Sequence, residues 1–92
     1  MAEEQGKIEL EIVTPAKLLF SESADMVVVP GKEGVFGVMP GHAPMLSQVR
    51  AGTIYVYDGD EVSNQIFVEG SIAEVTARRC TVLAEEALMV VD

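Results

Sequence analysis

The chain has 92 residues, a length that fits one domain. Apolar residues make up 49% of it and charged residues 23%, a composition that excludes a disordered chain. The net charge of −9 argues against direct binding to nucleic acid or to an anionic membrane surface, and it suits a basic protein partner.

Other classes are excluded by simple absences in the sequence. No apolar run approaches the ~18 residues of a transmembrane helix, and the acidic residues 1–5 lack the apolar core of a signal peptide. The single Cys80 rules out an internal disulfide and fits a reducing compartment. With one histidine and one cysteine there is no His/Cys cluster for zinc, so neither a metal nor a cofactor is expected.

The first predicted strand shows a period of two. Ile8, Leu10 and Ile12 alternate with charged residues, which predicts one buried face, and Thr14-Pro15 ends the strand. Residues 1–6 are expected to form a disordered tail ahead of a single domain over residues 7–92. Further short apolar runs follow at residues 18–20, 26–29, 35–39 and 45–49.

A hairpin is predicted over residues 53–68, where Asp58-Gly59 has the composition of a tight turn between strands. Gly70 is expected to break the returning strand, with further strands at 72–75 and 80–83, while residues 84–90 fit either a strand or the start of a helix. Turns every 8–12 residues favour an all-β sandwich or barrel. The residues expected to shape the turns are Pro30, Gly31, Gly37, Pro40, Gly41, Pro44 and Gly70.

Three glycines recur at every third position, at Gly31, Gly34 and Gly37. No helix pattern follows them, so they are not a dinucleotide-binding fingerprint. They are interpreted as serving a tight turn and a close strand crossing. On that interpretation Gly37→Val would unfold the domain for lack of space.

No catalytic residue is predicted. Cys80 and His42 are the only natural nucleophile and base. Cys80 stands in an alternating apolar stretch typical of a core cysteine, although Arg78 and Arg79 would lower its pKa if it were exposed. His42 lies between Pro40 and Pro44 in a loop of restricted backbone, where it is interpreted first as a structural residue, then as an interface contact, and last as a general base.

Lys32 supports an alternative function. A lysine at a β-turn of a small acidic sandwich is found in lipoyl and biotinyl carrier domains, which are modified there. Those carriers usually have Asp-Lys-Ala or Met-Lys-Met, whereas this chain has Gly31-Lys32-Glu33. An exposed turn lysine is therefore the preferred interpretation, with the carrier domain as the alternative.

The stretch from Val29 to Leu46 reads VPGKEGVFGVMPGHAPML. It closely resembles the signature of the epsilon subunit of F-type ATP synthases, called delta in mitochondria. Segments at 12–20, 52–54, 68–75 and 81–87 also resemble that family in order and spacing, so that the resemblance covers about residues 7–90.

The resemblance implies a flattened β-sandwich of about ten strands. It implies a non-catalytic central-stalk subunit of a proton-translocating F1Fo ATP synthase that couples proton-driven rotation to ATP synthesis. The implied partners are the gamma subunit and the c-subunit ring, with alpha and beta in the assembled complex. The implied location is the cytoplasmic face of a bacterial inner membrane, held through the ring, with a mitochondrial or plastid location as the alternative.

Residue by residue, the resemblance implies two interfaces. The expected c-ring contacts are Lys32, Glu33, Gly34, Val35 and Phe36; the expected gamma contacts are Thr14, His42, Ala43, Leu46 and Ser47.

This chain departs from the family pattern in three places. Val35 stands where some relatives have a second acid, and Ser71 replaces the second glycine of the family's pair. The sequence ends at Asp92, before the two-helix C-terminal domain of most members, so that domain is expected to be absent and a naturally short form is favoured. Inhibition by a helical arm is therefore not predicted.

Overall fold

The computed structural model describes residues 6–90 and consists of β-strands joined by turns. The all-β prediction is thus confirmed. The predicted tail at residues 1–6, apart from Gly6, lies outside the described residues, as do residues 91–92. Within the described range, no helix is long and apolar enough to cross a membrane. The strands are β1 Ile8–Val13, β2 Leu18–Ala24, β3 Met26–Gly31, β4 Gly34–Val38, β5 Met45–Val49, β6 Gly52–Asp58, β7 Glu61–Val75 and β8 Arg79–Met89.

The strands form one hydrogen-bonded network in the order β2-β1-β8-β7-β5-β3-β4, and β6 pairs with β3 and β7. Two strands share one edge of β7: β6 pairs with its first half and β5 with its second half. On its other edge, β7 pairs with β8. The long strands β7 and β8 therefore belong to both layers of the sandwich.

The inward-facing side of β7 changes at Gly70. Glu69 pairs with Glu86 and Ser71 pairs with Ala84, so β7 and β8 keep the same register on both sides of Gly70. The buried side chains, however, switch from even to odd positions along β7. Gly70 permits the switch because its φ is +62°, a conformation that costs little only for glycine. β7 thus runs continuously through Gly70 where the sequence predicted a break, which is one reason why eight strands are found where about ten were expected.

The core lies between the layers and is mostly aliphatic. The alternation predicted for β1 is confirmed, since Ile8, Leu10 and Ile12 are all fully buried. Cys80 is also fully buried, as its apolar surroundings predicted. The ambiguous residues 84–90 continue as strand β8 as far as Met89. The other fully buried large side chains are Ile54, Ile66, Val27, Val29, Val38, Val56, Val68, Val75 and Val82.

The β6–β7 hairpin turns through Gly59 and Asp60, since Asp58 pairs with Glu61. Gly59 has a φ of +65° and no non-glycine residue has a positive φ within residues 6–90, a pattern typical of a type II′ turn. Asp25 holds this turn: its carboxylate accepts a 2.6 Å bond from the Gly59 N–H and lies 3.0 Å from Lys7 Nζ. The Gly59 bond first, and then Lys7, lower the pKa of Asp25.

Candidate functional site

The tip of the β3–β4 hairpin presents the residues predicted to contact the c-ring. Gly31 pairs with Gly34, which leaves Lys32 and Glu33 as the exposed loop. The Lys32 N–H donates to the carbonyl oxygen of Gln48 over 2.9 Å, which fixes the tip against β5. Phe36 points inward and packs against the core. The turn is therefore a projection with a fixed base.

The glycines of this hairpin have different roles. A Cβ at Gly31 would lie 2.6 Å from the Gly34 carbonyl oxygen and 2.8 Å from the Phe36 ring, so this position has no room for a side chain. At Gly37 the nearest atom would be the Met26 sulfur, at an ordinary 3.6 Å. Gly37 also lies within β4 rather than in a turn. The close approach predicted from the glycine spacing holds at Gly31, whereas the steric reason given for Gly37→Val is wrong.

The loop from Met39 to Pro44 carries the predicted gamma contacts His42 and Ala43. It is fastened to the turn before β8, because the Gly41 N–H donates to the Ala77 carbonyl oxygen over 2.8 Å. His42 Nδ1 lies 2.7 Å from the Ala43 carbonyl oxygen, and a carbonyl can only accept, so Nδ1 carries the hydrogen. Gly41 has a φ of +91°. These contacts favour the structural interpretation of His42.

Thr14 lies at the opposite end of the same layer. Its backbone and hydroxyl group bond to Lys17 and close the turn between β1 and β2. Because β1 and β8 are parallel, Thr14 follows beyond the Val13–Leu83 pair, near Gly70 and Glu85, which line the same pocket. The structure therefore does not bring Thr14 and His42 together.

Leu46 and Ser47 point to opposite faces of β5, since Ser47 pairs with buried Ala73 and Leu46 with exposed Glu74. The Ser47 hydroxyl donates to the Gln48 carbonyl oxygen over 3.0 Å. Both residues line a pocket of about 330 Å³ together with Lys32 and Glu33. The expected ring and gamma contacts therefore adjoin each other at this corner.

A row of exposed apolar side chains crosses the outer face of this layer. Ile72 on β7 pairs with Leu83 on β8, and Leu83 pairs with Val13 on β1. Val13 in turn pairs with Leu18 on the edge strand β2. The exposed fractions are 41% for Ile72, 55% for Leu83 and 53% for Leu18, and Leu46 on the same face of β5 reaches 71%. These four residues and Val13 are called the outer apolar row.

Sequence reasoning missed the outer apolar row apart from Leu46. One signal was present: Val82, Leu83 and Ala84 are consecutive apolar residues, and a strand without alternation is typical of one covered on both faces. The row connects the region of Thr14 with the region of Leu46. It therefore joins predicted contacts that lie far apart on the layer.

The thiol of Cys80 is buried in the core. Burial raises the pKa of the Cys80 thiol to about 11, so it is a protonated thiol at neutral pH. Within residues 6–90 no three His, Cys, Asp or Glu side chains are placed to hold a metal ion. Ser71 is buried with an unpaired hydroxyl, and the left-handed backbone is at Gly70 rather than at Ser71.

Comparison with known proteins gives a family match over nearly the whole chain. The model of the ATP synthase delta/epsilon chain β-sandwich domain matches residues 7–90. The chain is 61% identical over 79 residues to the ATP synthase epsilon chain of Rhodospirillum rubrum, covering 86% of this chain and 59% of that one. It is 57% identical over 84 residues to that of Paramagnetospirillum magneticum, covering 91% and 63%. The chain thus spans about 60% of the length of these relatives.

Solved structures share the fold at lower identity. The Euglena gracilis mitochondrial ATP synthase, solved as OSCP/F1/c-ring, contains a chain that matches with a TM-score of 0.81 and 24% identity, over 95% of this chain and 57% of that one. The central stalk and c-ring of the Tetrahymena thermophila mitochondrial enzyme gives 0.72 and 15%, over 89% and 66%. The β-sandwich is thereby confirmed. The family model includes Lys32, and the carrier-domain alternative is not supported.

Proposed function

The chain belongs to the ATP synthase delta/epsilon family through its β-sandwich domain, and on that premise we propose that it is a central-stalk subunit of a proton-translocating F1Fo ATP synthase. In this role it binds the gamma subunit and the c-subunit ring, and it is linked to alpha and beta through the assembled complex. It carries out no bond chemistry and couples proton-driven rotation to ATP synthesis. The relatives of similar sequence come from bacteria, which supports the cytoplasmic face of the inner membrane as its location.

The outer apolar row is the observation that carries this proposal. A contiguous exposed apolar patch rimmed by polar residues marks a protein-binding surface more often than a free one. Its paired residues run from Leu18 on the edge strand through Leu83 to Ile72, and Leu46 lies on the same face of β5 as the diagonal neighbour of Ile72. A partner that covered this face would also reach Thr14 at one end and the His42 loop at the other. We assign this face to gamma.

The hairpin tip supplies the contact to the c-ring. Lys32 and Glu33 project from the corner where they meet Leu46 and Ser47, so gamma on the outer face and the ring at the tip would be neighbours. With Val35 in place of the second acid, Glu33 is the sole acidic side chain of the Lys32–Phe36 segment. The tight Gly31–Phe36 packing keeps the projection stiff, as the transmission of torque requires.

Binding to purified gamma tests the assignment of the outer face. Leu83→Asp should weaken binding about 10- to 100-fold, because a charge would be buried at the centre of the interface. Leu88→Asp is the matched control, since Leu88 is on the same strand and 61% exposed but pairs with Phe67 in the other half of the β7–β8 ribbon. Both variants should melt as the original chain does. Equal binding of gamma by the two variants would refute the assignment.

A reconstituted synthase tests the ring contact. Glu33→Lys should lower proton-driven ATP synthesis while leaving the melting temperature unchanged, because Glu33 is an exposed turn residue. Asp60→Lys makes the same charge change at the tip of the other hairpin and should have no effect on synthesis. If synthesis and melting temperature fell together for Glu33→Lys, the side chain would have a structural role and the proposed contact would fail.

A further inference from the structure

A shallow pocket of about 300 Å³ lies between the β1–β2 turn and the middle of β8. Its lining is apolar at Val13, Pro15, Leu83 and Ala84, and Glu85 is the one charged residue among the described residues that line it. Leu83 also belongs to the outer apolar row, so the pocket is continuous with the face assigned to gamma. It is called the Glu85 pocket.

Glu85 directs its side chain to the outer face. On β8, Ala84 is buried, so by the alternation of a strand Glu85 points outward together with Leu83. The adjacent Glu86 points to the opposite face of the β7–β8 ribbon, in the half where Ala87 packs against the core. Two neighbouring and exposed glutamates therefore lie on opposite sides of the sandwich.

Gly70 provides the space in which the Glu85 side chain lies. The register places the two residues opposite each other, because Ser71 pairs with Ala84 and Glu69 with Glu86. A Cβ at Gly70 would lie 3.1 Å from Oε1 of Glu85 and 3.2 Å from its Cγ. The glutamate side chain therefore lies against the sheet, across the glycine, and its carboxylate is held beside the apolar lining.

The Glu85 carboxylate is left without a cation in the part of the chain that the structure describes. None of the ion pairs within residues 6–90 includes Glu85. Lys32 and Arg50 line an adjoining cleft that shares Gly70 and Glu85 with this pocket, yet neither forms an ion pair with Glu85. The acceptor sites of the carboxylate are thus available to a cation from outside.

The lining fits a side chain that is apolar along its stem and cationic at its end. A wholly apolar group would remove water from the Glu85 carboxylate without replacing its hydrogen bonds, and an acidic group would meet a like charge. Arginine packs its stem on apolar surface. Its guanidinium group pairs with a carboxylate through two parallel bonds and is more weakly hydrated than an ammonium group.

We propose that the Glu85 pocket receives an arginine side chain of the gamma subunit, with the stem on Leu83 and Pro15 and the guanidinium group paired with Glu85. The inference rests on the proposed function for the origin of the arginine. A subunit that covers Leu83 in the outer apolar row reaches the pocket without a gap. A second copy of this chain is disfavoured as its source, because two chains of net charge −9 repel each other.

An NMR titration with small organic ions tests the pocket in the chain alone. The probe n-propylguanidinium should cause saturable shifts at the amides of Gly70, Ala84 and Glu85. The ion n-propylammonium should bind more weakly, and butyrate, with the same apolar stem and the opposite charge, should cause no shift there. Glu85→Gln should abolish the response to guanidinium, whereas Glu86→Gln makes the same change on the opposite face and should preserve it.

Binding to purified gamma tests the origin of the arginine. Glu85→Gln should weaken binding about 3- to 10-fold, between the effects of exposed and of buried charge pairs, and should reduce its dependence on salt. Glu86→Gln should bind gamma as the original chain does. Both glutamates are exposed, so both variants should melt at the original temperature.

Four results would overturn the inference. They are guanidinium shifts that persist in Glu85→Gln, butyrate binding equal to that of guanidinium, shifts at Gly70 and Ala84 from self-association without a probe, and unchanged gamma binding by Glu85→Gln. If gamma binding depended on Leu83 but not on Glu85, the inference alone would fail. If the original chain did not bind gamma, the proposed function and the assigned origin would fail together, and the titration would still decide the chemistry of the pocket.

Discussion

Gly31→Ala and Gly37→Ala should change the stability of the same hairpin in opposite directions. Neither glycine has a positive φ, so space and not backbone conformation decides the outcome. At Gly31 the added Cβ would lie 2.6 Å from a backbone oxygen that cannot turn aside. Overpacking of this kind costs about 1–3 kcal/mol, and the stiffer unfolded chain offsets about 0.4–1 kcal/mol of it. The net loss should be about 1–2 kcal/mol.

Gly37→Ala adds a methyl group at an ordinary contact distance, so no steric cost is expected. The substitution still reduces the conformational entropy of the unfolded chain, and the free energy of unfolding should therefore rise by about 0.4–1 kcal/mol. For a domain of this size 1 kcal/mol shifts the melting temperature by about 4–8 °C. Thermal melts and urea titrations of the two variants should therefore fall on opposite sides of the original chain, with equal m-values. A Gly31→Ala variant that melted at or above the original chain would refute the steric clash at this position.

Three further outcomes are expected. Gly70→Ala should cost about 1–2 kcal/mol, because alanine disfavours the left-handed conformation of this residue in β7; an unchanged midpoint in urea would contradict this. Asp25→Asn should lower the melting temperature at pH 7, because the folded chain lowers the pKa of the Asp25 carboxyl. Such a carboxylate stabilises the fold fully above its pKa in the unfolded chain, about 3.9, and loses that effect as the pH falls through its lower pKa in the folded chain. The difference from the original chain should close on acidification, and a constant gap down to pH ~2 would show that the Gly59 and Lys7 contacts are not responsible. Cys80 should react with an alkylating reagent at pH ~8 far more slowly in the folded chain than in denaturant, given its burial and a pKa of about 11; equal rates would disprove its place in the core.

Local patterns in the sequence correctly predicted which side chains of a strand are buried. Alternation at Ile8, Leu10 and Ile12 assigned the buried face of β1, because side chains of a strand point to opposite faces with a period of two. The apolar setting of Cys80 indicated its burial for the same reason. The signature from Val29 to Leu46 identified the family, which the match over residues 7–90 confirms.

The sequence predicted only in part which positions require a glycine. The spacing of Gly31 and Gly37 suggested one common reason, yet only Gly31 faces a carbonyl and an aromatic ring. At Gly70 the sequence indicated a strand break, whereas in the structure β7 continues through a left-handed glycine and keeps its register with β8. In both cases the residues on the neighbouring strand determine whether glycine is required, and strand pairing determines which residues those are.

The sequence by itself determined the strand class, the buried faces and the family, because those depend on residues close together along the chain. Only the tertiary structure decided which surfaces exist. It separated Thr14 from His42, brought Lys32 next to Leu46, assembled Ile72 and Leu83 into an exposed row, and left β4 as a free edge. The physical reason is that a period-two pattern assigns each side chain to a face, while the strand that lies beside it is chosen by long-range pairing that no local pattern encodes.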